Sequence, residues 1–183
     1  MCVCGSGCLL HLADENRQRR HERGLRPVGS ADVACQRLDH ALQVNTRSQL
    51  TLIRRAVAHF LDAGGGSLVG LSSWAAQRGA GNANLVGYAA SKAATAAALK
   101  TVARAYATDG VFAYLIAPGV VDTQMSASAG EDRGGRQAFL DTLTMREMVP
   151  PSEIAELVAL LAGGRTRHLS GATIDVNGAS YIR

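Results

Sequence analysis

Leu38, Leu42, Ile53, Val57 and Phe60 recur at helical spacing through a stretch otherwise rich in Arg, Gln and Thr, and the run stops at Gly64-Gly65-Gly66. Side chains three or four positions apart share one face of a helix, so this spacing predicts a helix over about 39–62 with one buried stripe and a glycine stop. Ser30-Ala31-Asp32 is a capping pattern for a short helical entry before it. Asn45 lies on or beside the stripe, where its amide must either find backbone partners or belong to a site. The pattern then shortens. SLVGLSS (67–73) and VFAYLIA (111–117) are apolar runs of strand length, and ATIDVNG (172–178) is a third strand. Between the first two, a small-residue loop (77–84) leads into a long helix over about 86–108, ended by Asp109-Gly110. Pro118-Gly119 breaks the second strand. A glycine-, serine- and charge-rich segment (124–149) follows, with one apolar island at 139–143. Pro150-Pro151-Ser152 then opens a helix through Leu161, with Ser152 as N-cap and Glu153 and Glu156 near its positive end.

From Asp39 onward the order is helix, strand, helix, strand, helix, strand. That alternation predicts an α/β fold: a doubly wound, Rossmann-like parallel sheet between helical layers, three layers in all. Three strands make it an incomplete one. Ligands of such sheets lie beyond the carboxyl ends of the strands, which here carry Ser72-Ser73 and Pro118-Gly119.

Composition changes this picture little. The chain is 47% hydrophobic and 19% charged, as expected of one domain with a core, and it has no long uncharged apolar run of membrane-spanning length. The opening MCVCGSGCLLHL lacks the basic start of a secretory signal, so a cytoplasmic location away from membranes is the expectation. Net charge is +4, but Arg17, Arg19, Arg20, Arg23 and Arg26 crowd one N-terminal stretch without aromatic residues to stack on bases, which argues against a nucleic-acid partner. Cys2, Cys4, Cys8 and His11 are residue types that ligate zinc, yet all fall in one short terminal segment, and no metal centre is expected. Residues 1–28 read as a separate segment, disordered or mis-started, and 29–183 as the domain.

The candidate chemistry centres on GYAASKAA (87–94), where Tyr88 and Lys92 lie one helical turn apart on the same face. Chance placement would give about 0.04 Tyr-x-x-x-Lys pairs in this chain. A tyrosine hydroxyl, with its ordinary pKa of about 10, works as an acid/base at neutral pH only if a neighbouring cation favours the phenolate, and Lys92 supplies that charge. Ser73, at a strand end, can hydrogen-bond a carbonyl or alkoxide, with Ser72 as the fallback, and Asn45 can hold a water that relays the proton. Such a set handles the proton of a carbonyl reduction or alcohol oxidation. The hydride requires a nicotinamide cofactor.

GSLVGLSS, YAASK and LIAPGVVDT, with the upstream asparagine in LQVNT and the closing SGATIDVNG, closely resemble the short-chain dehydrogenase/reductase family over roughly residues 29–183. The resemblance implies Tyr88 as catalytic acid/base and Lys92 as its pKa-lowering partner and a ligand of the nicotinamide ribose. It implies Ser73 as the carbonyl binder, Asn45 as the water-holding member, and Pro118, Gly119, Val121 and Thr123 along the nicotinamide carboxamide. It also implies NAD or NADP as cofactor, a small alcohol or carbonyl substrate covered by 124–149, and a homo-oligomer, dimer or tetramer, packed through the helices at about 39–62 and 86–108. The family's glycine turn T-G-x-x-x-G-x-G and its N-N-A-G-like turn do not occur in this sequence. Two expectations follow. One is an oxidoreductase impaired as this chain because its cofactor-phosphate turn is absent, and the other is a non-catalytic remnant that associates with another subunit.

Overall fold

The computed structural model describes residues 31–131 and 134–182. The segment 1–28, with the cysteine cluster and the arginine run, therefore lies outside the described residues, as does Ser30 of the expected cap. Contacts divide the chain at Gln36/Arg37, and the body from Arg37 onward holds the sheet and every candidate site residue. The elements are α1 (Ala31–Leu42), a π-helical turn (Gln43–Arg47), α2 (Ser48–Ala63), β1 (Gly66–Leu71), α3 (Ala75–Arg78), α4 (Val86–Ala105) and β2 (Val111–Pro118). They are followed by α5 (Gln124–Glu131), α6 (Arg136–Leu140), α7 (Pro151–Ala162) and β3 (Thr173–Val176).

The three strands form one parallel sheet in the order β1-β2-β3, with Leu71 opposite Ile116 and Ala117 opposite Asp175. The doubly wound α/β expectation holds: the sheet has helices on both faces. Ala113 and Leu115 of β2 are fully buried against Ile53 and Val57 of α2 and Leu99, Val102 and Ala103 of α4. On the opposite face, Tyr114 and Ile116 pack with Leu161, Ile154, Leu157 and Val158 of α7. Alternate residues of one strand thus feed two cores, which explains why VFAYLIA is apolar throughout.

Two glycines of β1 decide how closely the helices approach. A methyl group on Gly66 would meet the Phe60 ring at 2.3 Å, and one on Gly70 would meet Cδ1 of Leu99 at 2.0 Å. Both lie on the same face of the strand, one under α2 and the other under α4, and a side chain at either would force the Phe60 ring or the Leu99 side chain to repack.

Local differences from the sequence reading have local causes. The expected 39–62 helix is interrupted at Gln43–Arg47, where the backbone adopts one π turn. The expected strand 67–73 ends at Leu71, so Ser72 and Ser73 stand just beyond it, both buried. Ser152 is not an N-cap: α7 starts at Pro151, and Pro150 precedes it in extended conformation without a side-chain cap. Proline at the first helical position needs no donor and presets φ, so it sets the start itself. The segment 124–149 contains two short helices, and its apolar island packs Phe139, Leu143 and Met148 with Trp74, Val120 and Leu140.

Gly70→Ala is expected to destabilise the protein by about 1–3 kcal/mol in urea unfolding, the usual cost of overpacking a core. In a Leu99→Ala background most of that penalty should vanish, because the clashing methyl is gone. A penalty of the same size in both backgrounds would contradict the contact's role.

Candidate active site

Strand β1 runs out at Leu71, and the next residues turn across the top of β2. The Ser72 N–H donates to the Ile116 carbonyl at 2.8 Å and the Trp74 N–H to the Pro118 carbonyl at 3.1 Å. These bonds hold the Ser72-Ser73 pair beside the Pro118-Gly119 break. Gly119 is needed there, since a Cβ would come 2.8 Å from Cβ and 3.0 Å from Cα of Asn177 at the end of β3.

The start of α4 lies over the same strand ends. The Ser72 hydroxyl donates to the Lys92 carbonyl at 3.2 Å, and the Lys92 ammonium donates to the Leu71 carbonyl at 3.1 Å. The direction of that carbonyl follows from the ladder. Gly66 and Ser72 direct their N–H groups at β2, so Leu71, one residue out of phase with them, directs its backbone groups at the other side of β1. Among the described residues no strand pairs with that side. Lys92 thus caps an open sheet edge, with its ammonium 5.9 Å from the centroid of the Tyr88 ring. Tyr88 is half-buried, and its hydroxyl makes no hydrogen bond to a described residue. Burial lowers the Lys92 pKa below 10.5, because leaving water disfavours the charged amine.

Asn45 reaches this helix through the π turn. Its side-chain amide donates to the Ser91 hydroxyl at 3.2 Å, and that hydroxyl donates to the Tyr88 carbonyl at 2.8 Å. The Thr46 hydroxyl donates to the Ser91 carbonyl at 3.3 Å, and the Thr95 hydroxyl to the Asn45 carbonyl at 2.6 Å. A π turn leaves the regular bonding pattern, and Thr95, only 2% exposed, supplies a donor for the displaced carbonyl. Sequence reading missed Ser91 and Thr95. Their spacing on the face between Tyr88 and Leu99 was the available signal, since buried hydroxyls on an alanine-rich helix require partners.

The remaining expected positions are separately held. Ser73 accepts the Ala75 N–H at 3.2 Å, which starts α3. Val121 and Val149 form a parallel bridge that pins both ends of the 124–149 segment together. The Thr123 N–H donates to the Ser126 hydroxyl at 3.0 Å, and that hydroxyl donates to the Val121 carbonyl at 2.7 Å. The structure therefore gathers Ser72, Ser73, Lys92 and Pro118-Gly119 around the strand ends and ties Asn45 to the helix of Tyr88 and Lys92. It does not bring the Lys92 ammonium onto the Tyr88 hydroxyl. A concavity of about 850 Å³ lies elsewhere, lined by Asp39, Gln43, Arg47, Thr51 and Arg54 among others. None of these residues has a place in the candidate chemistry, so size alone does not mark the site.

Between the folded pKa of Lys92 and 10.5 the unfolded chain binds the proton more tightly than the folded one. The burial cost is present in full below that window and is relieved through it. The wild type is therefore expected to gain stability relative to Lys92→Met as pH rises from neutral toward 10.5, measured by urea unfolding at several pH values. A difference that stays flat across that range would contradict the burial of a charged amine.

Residues 25–179 match the family model described as enoyl-(acyl carrier protein) reductase. The chain is 33% identical over 142 residues to an acetoacetyl-CoA reductase of Allochromatium vinosum, covering 77% of this chain and 56% of that protein. It is 35% identical over 102 residues to the 3-oxoacyl-[acyl-carrier-protein] reductase FabG of Vibrio harveyi, covering 56% of this chain and 41% of that one. The chain thus spans about half the length of the curated relatives it matches. Among solved structures it superposes with a TM-score of 0.70 on a protein assigned as an NAD(P)-dependent gluconate 5-dehydrogenase from Beutenbergia cavernae, with NADP bound at low occupancy. That match has 25% identity and covers 76% of this chain and 55% of the other. A TM-score of 0.68 at 22% identity to the ketoreductase LugOII, over 80% of this chain and 56% of that one, shows the shared fold. With its parallel sheet, its Tyr-x-x-x-Lys helix and a family match over most of its length, the chain belongs to the short-chain dehydrogenase/reductase family of oxidoreductases.

Proposed function

We propose that this chain carries the proton-handling half of an NAD(P)-dependent ketone/alcohol oxidoreductase. The observation that carries the reading is the placement of Lys92 at the end of β1, bonded to Leu71 and Ser72, with Tyr88 one turn earlier on the same helix. In the reductive direction the Tyr88 hydroxyl gives its proton to the oxygen of the carbonyl being reduced. Ser73 donates a hydrogen bond to that same oxygen and so orients the substrate. Lys92 favours the tyrosinate left behind, and Asn45 holds a water through which the proton is replaced.

The residues present fit the nicotinamide end of a cofactor. Lys92 has three ammonium hydrogens, and the Leu71 carbonyl takes one of them, leaving donors for ribose hydroxyls. Pro118 and Gly119 stand at the neighbouring strand end, and the family resemblance adds Val121 and Thr123 to the same role. When bound, the nicotinamide supplies or accepts the hydride. The adenosine-phosphate end has no such match here, because the pattern T-G-x-x-x-G-x-G does not occur in the sequence. Weak cofactor binding and slow turnover are accordingly the expectation for residues 1–183 alone.

The names of the relatives make 3-oxoacyl thioesters the first substrates to try. Leu50, Leu52 and Leu61 of α2 are 42–59% exposed, which supports association of copies through α2 and α4. No helix among the described residues is long and apolar enough to cross a membrane.

NADPH oxidation with acetoacetyl-CoA, at millimolar cofactor, is expected to be slow but measurable, and Tyr88→Phe should lower it at least about 100-fold with the fold intact by circular dichroism. NADPH titrated by its fluorescence should not reach micromolar affinity. Undiminished activity in Tyr88→Phe would refute the acid/base assignment, and micromolar NADPH binding would refute the weak-cofactor reading.

A further inference from the structure

Directly after Ser73 the chain makes one short helical turn, α3, and its last residue, Arg78, folds back over its first neighbour, Trp74. The guanidinium carbon lies 4.0 Å from the indole centroid. Trp74 itself is half-buried and packs against the apolar cluster of Phe139, Leu143 and Met148, so it links the candidate carbonyl-binding serine to the 124–149 segment. Arg78 is exposed, and among the described residues no carboxylate lies within ion-pair distance of it. Asp175, the acid that touches α3, accepts a hydrogen bond from Gln77 at 3.4 Å.

Stacking engages the flat face of a guanidinium and leaves the N–H donors around its rim directed outward, in the fork that matches an oxyanion. A cation held by an aromatic face rather than by an acid is both positioned and uncompensated. Arg78 is five positions beyond Ser73, and the helical turn Ala75–Arg78 keeps the two within one short stretch of chain, on the order of 7 Å at helical rise. We propose that Arg78, braced on Trp74, is a substrate-specificity residue that binds an anionic group, a carboxylate or phosphate, carried several bonds away from the carbonyl that Ser73 orients. This rests on the carbonyl chemistry proposed above, but its test does not need turnover.

Trp74 is the one tryptophan in the chain, so its emission reports on this site alone. The intact chain is titrated with 6-oxoheptanoate, with its methyl ester, and with inorganic phosphate as competitor. The expected result is saturable change with the acid and a dissociation constant on the order of tenfold weaker for the ester. The same tenfold weakening is expected for the acid with Arg78→Gln, and calorimetry supplies the midpoint there because loss of the stack alters the starting emission. Arg78→Lys should recover part of the affinity. Displacement of the acid by phosphate assigns the subsite to oxyanions generally, and failure to displace assigns it to carboxylates. Equal binding of acid and ester, no binding of either, or unchanged affinity in Arg78→Gln would overturn the proposal. Binding without turnover would leave the anion subsite standing while removing the reductase reading, and turnover without discrimination would do the reverse.

Discussion

The contact of Leu99 with the bare backbone of Gly70 fixes where α4 sits on the sheet, and the candidate site depends on that position. Leu99 lies about two helical turns beyond Lys92, so the leucine seated over the middle of β1 brings the lysine to the strand's last carbonyl. Tyr88 follows one turn further out, past the ends of the strands. A larger residue at position 70 would force Leu99 to repack and so disturb the contact that seats the helix. Packing and the candidate chemistry therefore share one constraint in this protein: a pair of glycines in β1 lets two helices approach, and one of those helices carries the candidate reactive groups.

A second tie acts across the helices. Without the π turn at Gln43–Arg47, Asn45 would continue the regular helix with its carbonyl engaged in the usual pattern. Ser91 and Thr95, buried on α4, take up the amide and the carbonyl that the turn presents, and the Ser91 hydroxyl passes the connection to the backbone of Tyr88. The cost of the irregular turn is offset by hydrogen bonds worth about 1 kcal/mol each. Lys92 is the member least committed to Tyr88. Its ammonium serves the open edge of β1, so its contribution to the tyrosine depends on what pairs with that edge and on what binds beside it.

Much of this was readable from residues alone. The two-faced burial of β2 is written in VFAYLIA, the helix of Tyr88 and Lys92 in its alanine-rich spacing, and the strand-end placement of Ser72-Ser73 and Pro118-Gly119 in the apolar runs that precede them. The π turn was not, because its partners lie 46 and 50 residues away and local periodicity carries no information about them. Nor was the start of α7, where a proline at the first helical position displaced the serine cap. The short helix α3 escaped for a different reason: a four-residue turn has too little length for any period, and it is held by a local bond to the Ser73 hydroxyl and a tertiary bond from Trp74 to Pro118. Gly66 read only as part of the helix stop, and the need for glycine at position 70 emerges only with the helices placed above the strand.

Following the hydride tests the oxidoreductase claim most directly. Incubation of the chain with acetoacetyl-CoA and NADPH deuterated at the transferable C4 position should yield 3-hydroxybutyryl-CoA one mass unit heavier, with the label on the carbon that bore the ketone. Tyr88→Phe should yield almost none. Formation of the alcohol without deuterium, or equal labelled product from wild type and Tyr88→Phe, would contradict a site in which this tyrosine delivers the proton that accompanies nicotinamide hydride transfer.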